Sequence, residues 1–323
     1  MRQIFSNLDN VQLTTTFKDL LAWRKERSQN KKTQSTYVVA QADTKNIQYL
    51  HNNRTEATIT SIGHCTFLIQ MNGLNILTDP VWAYRMGFAK RLSNVGLSMD
   101  ELPLIDVVVI SHNHYDHLDF STLKKLRKIN PKTIYLVPCG VKSLFTRRGF
   151  NTVDEFNWWD FHEVQGVEFH FVPAQHWSKR LLFDTNCSHW GGWVMKCSSN
   201  AIHSNGNEHP TSNESTVYFV GDTGYFRGFQ LLREKFSIQY MLTPIGAYAP
   251  EWFMKIQHMT PEQAVQAYED CGAKYFIPMH HDAFQLGDDT TEEALARLKK
   301  HWLEKKLETN DLLLPKLGET IKM

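Results

Sequence analysis

The chain has 323 residues, ample for a sizeable core, with a formal net charge of +1 and 15 histidines. A charge so balanced provides no global basic field for nucleic-acid binding, and no apolar run approaches the roughly 20 residues of a membrane-spanning helix. The five cysteines (Cys65, Cys139, Cys187, Cys197, Cys271) are odd in number, widely spread and without a C-x-x-C pair. This argues against a disulfide framework and for a reducing compartment. The opening residues MRQIFSNLDNVQLTTTFKDLL lack a charged region followed by an apolar one, so the expectation is a cytoplasmic protein without a secretory signal.

Residues 1–56 are polar and read as an extension docked on a main domain of residues 57–323. Within them FKDLLAWRKER (17–27) has a short amphipathic helical pattern, expected to dock on the main body; its apolar face is short for a membrane-surface helix. From Ala57 the pattern changes to strands. ATITSIGHCTFLIQMNGLNILTDP predicts three strands, the last two joined at Asn72-Gly73, since Asn-Gly between apolar runs is a strong hairpin signal. Further strands are expected at 105–110, 132–138, 167–173, 215–221 and 274–279. DFSTLKKLRKI (119–129) reads as a helix with Asp119 as its cap, and TPEQAVQAYEDCG (260–272) as another. The second has Thr260 at the N-cap, Pro261 at the first helical position, Gln263 completing a capping box and Gly272 beyond the end. The polar segment 196–215 reads as a surface loop between strands. Early hairpins followed by strand–helix alternation predict a mixed α/β sandwich.

Chemistry gathers where the predicted strands end. Asp79 follows the third strand, and SHNHYDHLDF (111–120) follows the apolar run VVVI. His176, Asp222 and the pair His280–His281 follow later strands. Strand ends in a sandwich can converge on one edge. There His112, His114, Asp116, His117, His176, Asp222 and one of the 280/281 pair suffice for two metal ions, each with an open position for water. His112 and His114, two apart on extended backbone, point to one side; Asp116 and His117, at the start of the next helix, can reach a second ion. Ser111 and Asn113 read as spacers. No cysteine falls in this set, against a closed structural zinc site.

These motifs resemble the series found in metallo-β-lactamase-fold hydrolases. GHCTFLI, LTDPVW, HNHYDH, QHW, GDTGYF, PIGAYAPEWFMKIQH and MHHDAF, in that order from about Thr58 to Phe284, are similar to the family of N-acyl-phosphatidylethanolamine-hydrolysing phospholipase D and its bacterial relatives. The resemblance implies an αββα sandwich, with two mixed sheets and helices on the outer faces. It implies that His112, His114 and His176 hold one zinc, that Asp116, His117 and His280 hold the other, and that Asp222 bridges. His280 rather than His281 aligns with the last ligand of that family, because Phe284 falls where the family has a phenylalanine. His281 and Asp282 depart from the family pattern, which bears on the shape of the pocket.

The expected activity is therefore phosphodiester hydrolysis of the phospholipase D type, on an N-acylated or related phospholipid, with peripheral contact to a membrane. His258 is expected to contact the oxyanion or protonate the leaving group, Asp79 to orient a ligand histidine, and His64 to act from beneath the site. Trp177, Trp252 and Phe253 can line an acyl channel or simply pack, and Lys179 and Arg180 can meet a phosphate or solvent. His51, His162, His170, His189 and His301 read as ordinary polar residues, and His203 and His209 as solvated. Two alternatives share the scaffold: a lactonase or other ester or thioester hydrolase, and a redox enzyme, since this ligand set also suits iron or manganese.

Overall fold

Three strands, β1 (Thr58–Gly63), β2 (Thr66–Met71) and β3 (Leu74–Thr78), form an antiparallel meander. Asn72 and Gly73 close its second turn, both at positive φ (45° and 80°), as a two-residue hairpin loop of that twist requires. The structure is a computed structural model describing residues 3–12, 16–29, 37–197 and 215–323. Most of the expected polar loop at 196–215, with His203 and His209, lies outside the described residues.

After a two-stranded ribbon, β4 (Arg85–Met86) and β5 (Ala89–Lys90), the chain adds β6 (Val107–Val109), β7 (Ile134–Pro138) and β8 (Val153–Phe156) in parallel to β3. A second sheet follows, from β9 (Phe161–Val164), β10 (Val167–Val172), β11 (Gly192–Cys197), β12 (Thr216–Phe219), β13 (Tyr240–Pro244) and β14 (Tyr275–Met279). Its order is β14-β13-β12-β11-β10-β9; the first sheet runs β15-β1-β2-β3-β6-β7-β8, with β15 (Thr320–Lys322) on its edge.

VVVI reads as a continuous apolar run because its strand is buried on both faces. Val107 and Val109 join the core between the sheets, with Phe67, Ile69, Phe169 and Trp193. Val108 and Ile110 join a separate outer cluster with Leu50, Leu123, Leu126 and Phe145. These four come from the helices α2 (Ile47–Asn52), α3 (Phe120–Ile129) and α4 (Lys142–Thr146), which follow α1 (Phe17–Gln29) in the chain. Beyond the second sheet lie α5 (Gly228–Lys235), α7 (Pro261–Cys271) and α8 (Thr291–Glu304), with the single turn α6 (Glu251–Met254) between β13 and α7; α7 lies against β13, and α5 and α8 against α7. The layers are helix, sheet, sheet, helix, the metallo-β-lactamase arrangement.

Caps follow the sequence closely. Asp119 accepts from Ser121 N, and Thr260 and Gln263 form the capping box of α7, which Gly272 ends at φ 64°. The strands without a strong local signal, such as β8, β9, β13 and β15, take their place from neighbouring strands rather than from their own alternation.

Strand direction positions the site. β3 and β6 run parallel. β10 runs antiparallel to β11, and β11 to β12, so β10 and β12 point the same way, and β13 and β14 follow β12 in parallel. The carboxyl ends carrying Asp79, His112–His117, His176, Asp222 and His280 therefore share one edge of the sandwich.

Candidate metal centre

Asp79 leaves β3 at a positive φ of 31° and is fully buried. Its Oδ1 accepts from Ser111 N at 2.8 Å, and its Oδ2 from Ser111 Oγ at 2.5 Å. The same Oδ2 lies 2.7 Å from His117 Nδ1. Ser111 Oγ stands 2.9 Å from His112 Nδ1. One carboxylate thus orients two histidines, one directly and one through a hydroxyl, leaving the Nε2 atoms of both rings facing the site. Ser111 is not the spacer its position suggests. Loop 220–222 approaches it closely enough to require a glycine: Gly221 has φ 68°, and a Cβ there would lie 2.8 Å from that of Ser111.

Two groups of donor atoms converge. His112 Nε2 and His176 Nε2 lie 2.8 and 3.2 Å from His114 Nδ1. His176 Nδ1 faces the Gln257 carbonyl at 3.0 Å, so the proton sits there and Nε2 keeps its lone pair. Burial pushes all three rings down, His112 well below its ordinary value, His114 to about 4 and His176 to about 3. Three neutral imidazoles turned toward one point suit a cation.

The second group is Asp116, His117, Asp222 and His280. Asp222 Oδ2 lies 3.1 Å from His117 Nε2 and 3.3 Å from His280 Nε2; Asp116 Oδ2 lies 3.3 and 3.4 Å from the same atoms. Asp222 Oδ2 also reaches within 4.0 Å of His176 Nε2, so this carboxylate stands between the groups. Burial disfavours every charge here, yet the facing charges outweigh it. Attraction to His117 holds the Asp116 and Asp222 carboxyls well below the usual range; the same carboxylates hold His117 well above its ordinary value and raise His280 to about 9. Among the described residues the ion-pair partners of both carboxylates are all histidines. Asp222 Oδ1 and the Nε2 atoms of His117 and His280 are buried without a well-formed hydrogen bond. A divalent cation would satisfy these atoms and balance the two carboxylates in place of protons on His117 and His280, and imidazole with carboxylate fits zinc, iron or manganese.

His64, in the turn between β1 and β2, lies with Nε2 3.2 Å from Asp116 Oδ2 and its ring 4.3 Å from that of His280. Burial lowers it to about 4, so its neutral ring can donate to Asp116. Asp282 holds this turn by accepting from His64 N at 2.8 Å. His280, at φ 63°, turns into the four-residue group, whereas His281 belongs to neither group and does not line the cleft above it.

His258 follows α6, with Nδ1 3.9 Å from Asp222 Oδ2 and its ring 5.3 and 5.6 Å from His176 and His280. It borders a cleft of about 900 Å³ whose floor includes His114, Asp116, Asp222 and His280. The walls are largely apolar, from Phe5, Val11, Leu20, Trp23, Trp177 and Phe253, with Lys179 among them. Trp252 is not part of that lining. Arg180 is engaged elsewhere: Nη1 donates to the Asn113 carbonyl at 2.8 Å, and the guanidinium lies 4.0 Å from the Tyr115 ring. His51, His170 and His301 have partners remote from the site, and His189 stacks on Phe5. Sequence motifs included Ser111 and Gln257 without assigning either a role at the ligands, and did not mark Asn7, which accepts from His176 N at 3.0 Å. A backbone carbonyl or amide partner leaves no signature in residue type.

Residues 74–281 match the family described as "Beta-lactamase superfamily domain". An N-acyl-phosphatidylethanolamine-hydrolyzing phospholipase D of Caenorhabditis elegans is 34% identical over 72% of this chain and 65% of its own length. A mitochondrial protein of the same name from Saccharomyces cerevisiae is 31% identical over 73% of this chain and 49% of its own length. The chain thus spans about half to two thirds of these relatives. A metal-dependent hydrolase of Methanopyrus kandleri is 28% identical over 73% of this chain and 88% of its own length. The solved structure of a metallo hydrolase from Ignicoccus hospitalis superposes with a TM-score of 0.60 at 20% identity, covering 83% of this chain and 99% of that one. Among the described residues no helix is long and apolar enough to cross a membrane. The chain belongs to the beta-lactamase superfamily and has the metallo-β-lactamase fold.

Proposed function

We propose that the protein is a binuclear zinc phosphodiesterase of the phospholipase D type, cleaving N-acyl-phosphatidylethanolamine or a related phospholipid on its headgroup side. The observation that carries this reading is the pairing of a three-histidine and a four-residue donor group on the floor of one largely apolar cleft. The named phospholipase D relatives support it. In this reading His112, His114 and His176 hold one cation, Asp116, His117 and His280 the other, and Asp222 serves both. When bound, such a pair of cations supplies an activated water and positive charge for phosphate oxygens.

The residues of the chain do the rest. Asp79 and Ser111 hold His117 and His112 in the correct tautomer. Burial lowers His258 to about 3, so at neutral pH its ring is uncharged and offers a hydrogen bond to the developing oxyanion rather than a proton to the leaving group. The apolar walls accommodate acyl chains and exclude water, and Lys179 places a cation beside the phosphate. Exposed Leu181 and Leu182 adjoin Tyr115, Trp177 and Lys179 at the cleft rim, which supports approach to a lipid surface.

The test is hydrolysis of N-acyl-phosphatidylethanolamine in mixed micelles, beside bis(p-nitrophenyl) phosphate and a lactone panel, with metal analysis of the purified protein. Diester cleavage with about two zinc ions per chain is expected. Lactone hydrolysis without diester cleavage would overturn the substrate class, and iron with redox activity would overturn the reaction.

A further inference from the structure

The amino-terminal residues lie far from every motif in the chain, yet they touch the metal centre. Asn7 is buried, and its Oδ1 accepts from His176 N at 3.0 Å and from Trp190 Nε1 at 2.9 Å. Its Nδ2 donates to the Val11 carbonyl at 3.1 Å, which fixes the orientation of the amide, and both acceptor sites of Oδ1 are used. Three further contacts fix the segment around it. Phe5 N donates to the Asn186 carbonyl at 2.9 Å and its ring stacks on His189 at 4.4 Å; Asp9 pairs with Arg227 at 2.6 Å.

His176 sits on an irregular loop beyond β10, without a strand partner of its own. Its ring is set by the Gln257 carbonyl at Nδ1, and its backbone by Asn7. Without the Asn7 oxygen, a buried N–H loses its acceptor at the residue whose Nε2 completes the three-histidine group. Loss of a partner that orients a ligand from behind typically weakens metal binding by about 10–100-fold.

We propose that Asn7 is a positioning residue of the metal centre, through which the amino-terminal segment fixes His176 and sets metal affinity at the three-histidine group. The inference rests on reading the centre as a metal site, which metal analysis of the unaltered protein checks separately. None of its measurements involves a substrate, so it stands or falls independently of the phosphodiesterase reading.

The experiment compares Asn7→Ala, Asn7→Asp and Trp190→Phe as full-length proteins, with metal affinity read by competition against a chromogenic chelator and stability by thermal melting. Asn7→Ala is expected to weaken binding of one equivalent of zinc by about 10–100-fold. Asn7→Asp, which keeps the accepting oxygen, should recover most of that affinity. Trp190→Phe removes the indole donor to Asn7 and Ala174 and part of a buried ring but leaves the Asn7 oxygen facing His176 N; it should lower the melting temperature while leaving zinc affinity near that of the unaltered protein. Equal loss of affinity in Trp190→Phe and Asn7→Ala would reduce Asn7 to a structural role and overturn the inference, as would unchanged affinity in Asn7→Ala. Should Asn7→Ala not fold, hydrogen exchange on the unaltered protein decides. Stripping the metal should accelerate exchange at the His176 and Phe5 amides together, because coupling between sites is reciprocal. Acceleration at His176 alone, with Phe5 unmoved, would overturn it.

Discussion

His117 Nδ1 lies 2.7 Å from Asp79 Oδ2, with both side chains sealed from solvent. The same carboxylate reaches His112 through the Ser111 hydroxyl. Asp79→Asn would turn an amide N–H toward one of these donors, against His117 or against Ser111. It should lower metal affinity by about 10–100-fold, and Ser111→Ala, which breaks only the link to His112, should have the smaller effect. Chelator competition measures both; an Asp79→Asn protein with the affinity of the parent would refute this arrangement.

His258 borders the cleft but belongs to neither donor group. His258→Gln should therefore keep the full metal content while lowering kcat by about 100–1000-fold, the range for loss of one oxyanion donor. Loss of metal in this variant would mean that His258 is a ligand.

Protonation of the four-residue group gives metal binding a defined pH dependence. His280 is raised from an ordinary 6.5 to about 9, so at pH 7 it carries a proton that a cation must displace. Metal affinity should rise with pH up to about pH 9 as His280 loses its proton, with proton release measurable by titration calorimetry in buffers of different ionisation enthalpy. Stability of the chelated protein runs in the opposite direction. The contribution of a raised histidine is full below about pH 6.5 and lost as pH rises through about 9, while that of the depressed Asp116 and Asp222 carboxyls is present above about pH 4 and lost below it. Thermal melts of chelated protein should therefore weaken from pH 6.5 to 9; a flat profile would contradict the assignment.

Gly221→Ala tests the approach of the loop carrying Asp222. Its Cβ would sit 2.8 Å from Ser111 Cβ and 2.9 Å from the Gly191 carbonyl, at φ 68°. A loss well above ~1 kcal/mol is expected, together with reduced metal content. Gly87→Ala, at φ 56° with nothing within 4 Å, isolates the backbone strain and should cost less. Equal melting temperatures for the two variants would show that the close approach is not limiting.

Much of the centre is legible in residue order because metal ligands must follow strand ends, and strand ends are marked by apolar runs. HNHYDH after VVVI, GDTGYF after VYFV and MHHDAF after KYFIP place donors at the ends of β6, β12 and β14. Capping residues are equally local, so Asp119, Thr260 and Gly272 could be read directly. The strands β8, β9, β13 and β15 were not evident, since short segments adopt β structure when a neighbour supplies their hydrogen bonds.

Sequence alone determined which side chains are available for metal chemistry and the strand ends that carry them, because both depend on spacing within a few residues. It left open which of those loops meet and what stands behind each ligand. Folding made those choices: His280 turned inward and His281 away, Ser111 became a relay, and Arg180 was committed to backbone carbonyls. Asn7 was brought against His176 across 169 positions of chain. Contacts of that range arise from the packing of two sheets and their edge loops, and a backbone amide seeking an acceptor leaves no mark on the identity of the residue that provides one.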